Sequence, residues 1–290
     1  MEATDFEIVP APEATRPFVR RFMYANRRLD APFVMRPKPT GYIYFSNAFN
    51  SSQSGPNWQA MIDGEQHPSQ SRWNIAGQIV DHDIAVHVTD QLQVIFCELS
   101  ATATHRLFGL PGITMTGKVL PLFTAGADFE TLARRCFVSG PENTRDGHMA
   151  EATAFFEALI ARAAPGDPAV EKAVEMLEAV NGAIKVTDIC KEVGVGQRHL
   201  SRRFTSIVGV NPKFFGQILQ INWVVGLLYF NDTATLTEIA HDAGFYDQPH
   251  FNHAMQRFFS EGPSEFLKSD HVAFKTFLGA SRRFGPEASP

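Results

Sequence analysis

Cysteine is scarce in this chain. Its 290 residues include three, Cys97, Cys136 and Cys190, widely spaced and without a C-x-x-C pair. That spacing excludes a disulfide framework and a cysteine-built zinc site, and leaves plain packing as the reading of each thiol. Long apolar runs are missing too: no segment approaches the roughly 20 consecutive apolar residues of a membrane span. The N-terminus, Met1 to Pro12, is acidic and broken by proline, where a secretion signal has a basic stretch followed by an apolar one. A cytoplasmic location and no membrane partner are therefore expected. Positive charge is in deficit, with 26 Lys and Arg against 31 Asp and Glu and a formal charge of −5. At first reading this argues against a polyanionic partner. What the chain has in quantity is apolar surface: 44% of its residues are hydrophobic and 25 are Phe. Such a chain folds, and its length fits two domains with cores of their own.

Enzyme signatures are also absent. There is no Gly-x-Ser-x-Gly elbow, no Walker loop and no Gly-x-Gly-x-x-Gly. His82 and His87 lie on opposite faces of a candidate strand, whereas a metal centre needs three or four converging ligands. Asp81, Asp83 and His87 share one face, which reads as a solvated strand edge. The chain is read as no enzyme, with no cofactor and no metal.

The first half alternates short β-type runs with turn residues. Tyr42–Phe45, the Ile84, Val86, Val88 alternation and Val94–Phe96 are candidate strands, broken by Gly/Pro/Asn/Ser clusters at 51–57 and 109–112. A sandwich or barrel follows. From Asp128 the period becomes helical, through Phe129, Leu132, Ala133 and Cys136, and again through Phe155, Phe156, Leu159 and Ile160. Ala163 to Pro168 interrupts it, with Asp167 as an N-cap and Pro168 at the first helical position of the next helix. The domain boundary is placed there.

The last 120 residues contain an internal repeat. Val186, Ile189, Cys190, Val193 and Gly194 recur as Leu236, Ile239, Ala240, Ala243 and Gly244, offset by 50; after the glycine the offset is 51, with Leu200, Phe204, Ile207, Pro212 and Phe215 recurring as Phe251, Met255, Phe258, Pro263 and Phe266. Each unit reads as a short helix, a glycine turn and a second amphipathic helix, which is a helix-turn-helix. Thr235 with Glu238 forms a capping box in the second copy, where the first has Lys185. At about 100° per residue from Leu200, the apolar face centres near about 25° while Arg202, Arg198 and Thr205 fall near about 200°, 160° and 140°. Two arginines one turn apart thus point outward, suited to bidentate contact with guanine O6/N7 or to clamping phosphate. Arg203, near about 300°, reads as a snorkelling or phosphate-facing side chain.

With these residues in view, Val186 to Phe266 resembles the AraC/XylS-type DNA-binding domain, most specifically in Gly244-Phe-Tyr-Asp-Gln-Pro-His-Phe251. The resemblance implies an α+β protein of two domains. Residues 1–165 form a β-rich sandwich or barrel-like sensor and dimerisation domain with flanking helices. Residues 166–270 form an all-α domain of two helix-turn-helix units joined by a long helix near Asn211–Asn231, and residues 271–290 a C-terminal tail. Arg16 to Tyr24, Ala76-Gly77-Gln78 and His105 to Pro111 are similar to the sensor-like domain that accompanies many such regulators. The implied function is sequence-specific, effector-responsive transcription regulation through the major groove. Double-stranded DNA is the implied partner, with a small-molecule effector, a second copy of the chain and, for an activator, RNA polymerase.

Carried over position by position, the first recognition helix offers Gln197, Arg198, Ser201, Arg202 and Thr205, and the second Pro249, His250, Asn252, His253 and Gln256. His253, Gln220 and Ser260 stand where the family often has Arg, Arg and Gly. Tyr42, Tyr44, Trp58 and Trp73 are candidates for lining an apolar effector pocket. The alternative is a protein-interaction module, separable from a DNA reader because phosphate binding depends steeply on salt. Charge is uneven between the two copies. Residues 185–213 hold six basic and two acidic groups, and residues 235–268 two basic and five acidic. The acidic total conceals a basic first copy.

Overall fold

The structure, a computed structural model, describes residues 6–49, 58–66, 71–80, 83–140, 142–230, 245, 248–266, 268, 274 and 278. Its strands, in chain order, are β1 (Glu7–Pro10), β2 (Val19–Arg28), β3 (Phe33–Met35), β4 (Ile43–Ala48), β5 (Trp58–Ile62), β6 (Glu65–Gln66), β7 (Trp73–Ala76), β8 (Ile84–Val88), β9 (Gln91–Leu99) and β10 (Val119–Pro121). They build an antiparallel six-stranded sheet, β1-β2-β9-β4-β7-β10, and a four-stranded one, β3-β8-β5-β6. The strands expected around Tyr42–Phe45, Ile84–Val88 and Val94–Phe96 are β4, β8 and the middle of β9. The longest strand, β2, carries no simple alternation because two of its arginines are paired rather than solvated. Arg21 stands opposite Glu98 in the β2–β9 register, and its Nη2 donates to the buried carboxylate at 2.8 Å.

Four helices attach to the larger sheet: α1 (Ala103–Phe108), α2 (Gly112–Met115), α3 (Ala127–Cys136) and α4 (Arg145–Ile160). The expected helices beginning near Asp128 and running through Phe155 are α3 and α4. Phe155 and Phe156 of α4 pack on Phe45 of β4, ring centroids 5.0 and 5.5 Å away. Cys97 is buried in this core, and burial pushes its thiol well above the usual range; Cys136, half-buried, is raised for the same reason. Both thiols are packing groups rather than reactive thiolates.

The C-terminal half is helical: α5 (Pro168–Ala179), α6 (Val186–Val193), α7 (Gln197–Val208), α8 (Pro212–Phe230), α9 (Gln248–Phe259) and α10 (Pro263–Phe266). Asp167 caps α5 as expected, its Oδ1 accepting from the Ala169 and Val170 amides at 3.1 and 3.2 Å. The expected linking helix is α8. Residues 231–244, where the Thr235–Glu238 capping box and the first helix of the second unit are expected, lie outside the described residues. The helical core takes in Val80 and Ala101 from the sheet domain, and Phe274 and Leu278 from the segment set apart as a tail.

The two halves are in close contact. Asn222 of α8 donates to the Pro39 carbonyl at 3.0 Å, Arg20 of β2 lies 3.5 Å from Glu178 of α5, and Arg106 of α1 reaches Glu171 at 3.4 Å and the Ala164 carbonyl at 3.1 Å. Among the described residues no helix is long and apolar enough to cross a membrane.

Candidate nucleic-acid interface

The first helix-turn-helix is built as the repeat requires. Helix α6 starts at Lys185, whose side chain makes no capping hydrogen bond, and ends on Gly194 at φ 66°. Only glycine adopts that left-handed backbone without steric cost. After Val195 and Gly196, α7 begins at Gln197 and buries Leu200, Phe204, Ile207 and Val208. The opposite face of α7 carries Gln197, Arg198 and Arg202, all exposed, with Ser201 and Thr205 half-exposed. All five lie on one described helix. Arg202 Nη2 lies 3.5 Å from His199 Nδ1, a side-on contact that leaves the guanidinium at the surface.

Arg203 does not face outward to phosphate. Its guanidinium forms a short ion pair with Asp167, the residue that caps α5. The angular position near the edge of the apolar face was legible; the partner, 36 residues away, was not.

Helix α8 opens with Asn211 Oδ1 accepting the Phe214 amide at 2.9 Å. In the second unit the helix that corresponds to α7 is α9, whose buried side is Phe251, Met255, Phe258 and Phe259. Pro249, His250, Asn252, His253 and Gln256 are exposed on its other side. Its one arginine, Arg257, is exposed and lies over the Phe214 ring, 4.4 Å from the centroid. Pro249, His250, Asn252, His253 and Gln256 include neither Lys nor Arg, whereas the outward face of α7 carries Arg198 and Arg202. Ser260, which follows α9 in the place Gly209 holds after α7, has φ 60° against 99° for the glycine.

Between its two sheets the sheet domain holds a partly open cavity of about 150 Å³. Most of its wall is apolar, from residues such as Met23, Ile84 and Phe96; Arg36, Lys38, Thr40, Tyr44 and Ser46 also line it. Tyr44 and Thr40 hydroxyls are 3.0 Å apart, and burial holds the phenol well above its usual range, hence protonated. The Lys38 ammonium is pushed below its ordinary range by burial; it donates to the Phe259 carbonyl at 3.4 Å, at the end of α9. Of the four aromatic residues named from sequence, Tyr44 lines this cavity. Tyr42 lies instead beneath the Arg20 guanidinium at 4.0 Å, Trp73 packs near Phe137, and the side chain of Trp58 is outside the described residues. Sequence reasoning missed Lys38 and Phe274, which also lines the cavity. The Pro37-Lys38-Pro39 run gave a weak signal for an extended, positioned lysine; Phe274 gave none. Asp81 and His82 lie outside the described residues, and Asp83 is paired with Arg36 at 2.7 Å.

Comparison with known proteins agrees with the geometry of the C-terminal half. Residues 189–269 match the helix-turn-helix domain family. No curated protein matches the sequence. Among solved structures the chain is similar to ToxT from Vibrio cholerae at 13% identity and a TM-score of 0.44, covering 85% of this chain and 98% of that one. It is similar also to ToxT bound to (E)-4-(8-methylnaphthalen-1-yl)but-3-enoic acid, at 12% identity and a TM-score of 0.45 over 85% and 98% of the two chains. A third, ToxT bound to an unsaturated fatty acid, gives 13% identity and a TM-score of 0.39 over 83% and 96%. Residues 189–269, in which α7 and α9 each bury one apolar face and expose the other, are a helix-turn-helix domain.

Proposed function

We propose that this chain is a transcriptional regulator of the AraC/XylS type and not an enzyme, reading double-stranded DNA through two helix-turn-helix units and sensing a small molecule in its sheet domain. One observation carries the DNA-binding reading. Helices α7 and α9, related by an offset of 51 residues in sequence, each bury one apolar face and expose the other. On α7 that exposed face holds the Arg198–Arg202 pair. In this reading Gln197, Arg198, Ser201, Arg202 and Thr205 contact bases or phosphate in one major-groove segment. Pro249, His250, Asn252, His253 and Gln256 contact the next, through hydrogen bonds rather than charge. Residues 1–165 sense and dimerise, residues 166–270 read DNA, and RNA polymerase is a further partner if the protein activates. All of this belongs in the cytoplasm. The Arg198→Ala/Arg202→Ala protein should lose specific binding in an anisotropy titration, at roughly 1–3 kcal/mol per arginine; unchanged affinity sinks the assignment.

The cavity supports a reading of the effector's class. An apolar wall that also includes a lysine, a phenol and two hydroxyls fits an apolar body with an anionic head. A space of about 150 Å³ holds a body of roughly benzene size, so we propose a small carboxylic acid. Thermal-shift titrations should show stabilisation by a benzoate-sized acid, weakened by Lys38→Met. Equal response of wild type and Lys38→Met would remove Lys38 from the head-group site.

A further inference from the structure

The first reading helix does not stand clear of the sheet domain. Helix α2 sits on the C-terminal end of α7 backbone against backbone: a Cβ on Gly112 would lie 2.2 Å from the Ile207 carbonyl oxygen and 2.6 Å from the Gly209 nitrogen. Real Cβ atoms do not come that close, so only glycine allows this seat. The Thr116 hydroxyl donates to the Gly209 carbonyl at 2.9 Å and ties the end of α2 to the end of α7. On its other side α2 is anchored by Met115, 1% exposed in the core of the sheet domain.

Between these two anchors Ile113 points outward. It is 54% exposed and forms one wall of a shallow hollow whose other walls are Ser201, Arg202, Thr205 and Ser206 of α7. Three of those four belong to the proposed base-reading set. The hollow offers one apolar side chain beside a guanidinium and three hydroxyls. A protein partner calls for a broader apolar patch than a single isoleucine. The edge of a base pair fits: in the major groove the apolar group is the thymine C5-methyl, and arginine is suited to a neighbouring guanine or phosphate.

We propose that Ile113 is part of the DNA-reading surface, so that the sheet domain itself supplies an apolar contact to a thymine methyl next to the subsite of Arg202. This rests on the DNA-binding reading above and extends it: a residue outside the helix-turn-helix domain takes part in base selection. The rigid seat of α2 on α7 fixes its position.

The experiment uses full-length protein. Wild type selects duplexes from a randomised pool, and the selected duplex becomes the probe for anisotropy titrations with wild type, Ile113→Ala and Arg202→Ala. Each titration is repeated with single thymines replaced by uracil, which lacks only the C5-methyl. Ile113→Ala should bind the selected duplex roughly tenfold more weakly. One thymine-to-uracil change should weaken wild type, leave Ile113→Ala unaffected and still weaken Arg202→Ala. Because Ile113 is exposed, the variant should melt with wild type. Equal or tighter binding by Ile113→Ala overturns the proposal, as does an equal uracil penalty in wild type and Ile113→Ala. If wild type selects no duplex, the DNA-binding reading fails first and takes the contact with it.

Discussion

Ser260 occupies a backbone conformation suited to glycine. Its φ of 60° places it in the left-handed region, where a side chain costs about 1 kcal/mol or more, and it is exposed, so the hydroxyl gains little from packing. Ser260→Gly should raise stability by about 1 kcal/mol in urea unfolding; an unchanged midpoint would show that the turn relaxes without cost. The departure from glycine was visible in the repeat, but its φ was not, since serine alone does not announce a left-handed turn. His148 makes a different point. It is buried, stacked on Phe49 at 3.9 Å between ring centroids, with Nδ1 3.6 Å from Glu151. Desolvation lowers its pKa from the ordinary 6.5, against the opposing pull of Glu151. The folded state therefore prefers the neutral ring. Stability is full above the ordinary histidine range and falls as pH drops below 6.5, because the unfolded chain takes up the proton first. The melting temperature should decline over that window in wild type and decline less in His148→Phe; parallel curves would contradict this origin.

At the scale of elements, α5 was the most legible. Asp167 and Pro168 marked its start, and the cap forms on those residues. The same carboxylate also receives Arg203 from α7, so one residue both ends a loop and fastens the first helix-turn-helix to α5. Asp167→Ala should cost about 1–2 kcal/mol, as the loss of an N-cap does, whereas Arg203→Ala should cost less and leave the salt dependence of DNA binding unchanged. A shallower salt slope for Arg203→Ala would return that residue to the phosphate-facing role its helical angle first suggested. Elements whose pattern depends on distant partners were harder to read. Strand β2 hides its alternation behind Arg21, neutralised by Glu98 across the sheet. Helix α2, four residues long, is too short for any period, and its fit against α7 depends on Gly112 being seen beside Ile207. The duplicated unit was legible because identical packing demands recur at a fixed offset; the cavity was not, because its walls come from both sheets and from Phe274.

For the whole molecule, two of the contacts between the domains bear on the proposed function. One is the α2–α7 seat beside the first reading face. The other is Lys38, which lines the cavity and donates to the last residue of α9. A carboxylate in the cavity would compete with the Phe259 carbonyl for that ammonium, so the proposed effector and α9 would draw on one group. In the proposed reading the first helix would bring positive charge to DNA and the second uncharged amides and two histidines, so that a chain with a formal charge of −5 could still suit a polyanion. The most direct test is the salt dependence of binding to a selected duplex. Wild type should show a steep linear fall of log K with log salt, and Arg198→Ala/Arg202→Ala a slope smaller by about 2, one for each lost phosphate-scale contact. A shallow wild-type slope, unchanged by the double substitution, would contradict the assignment of α7 as the principal DNA-reading helix.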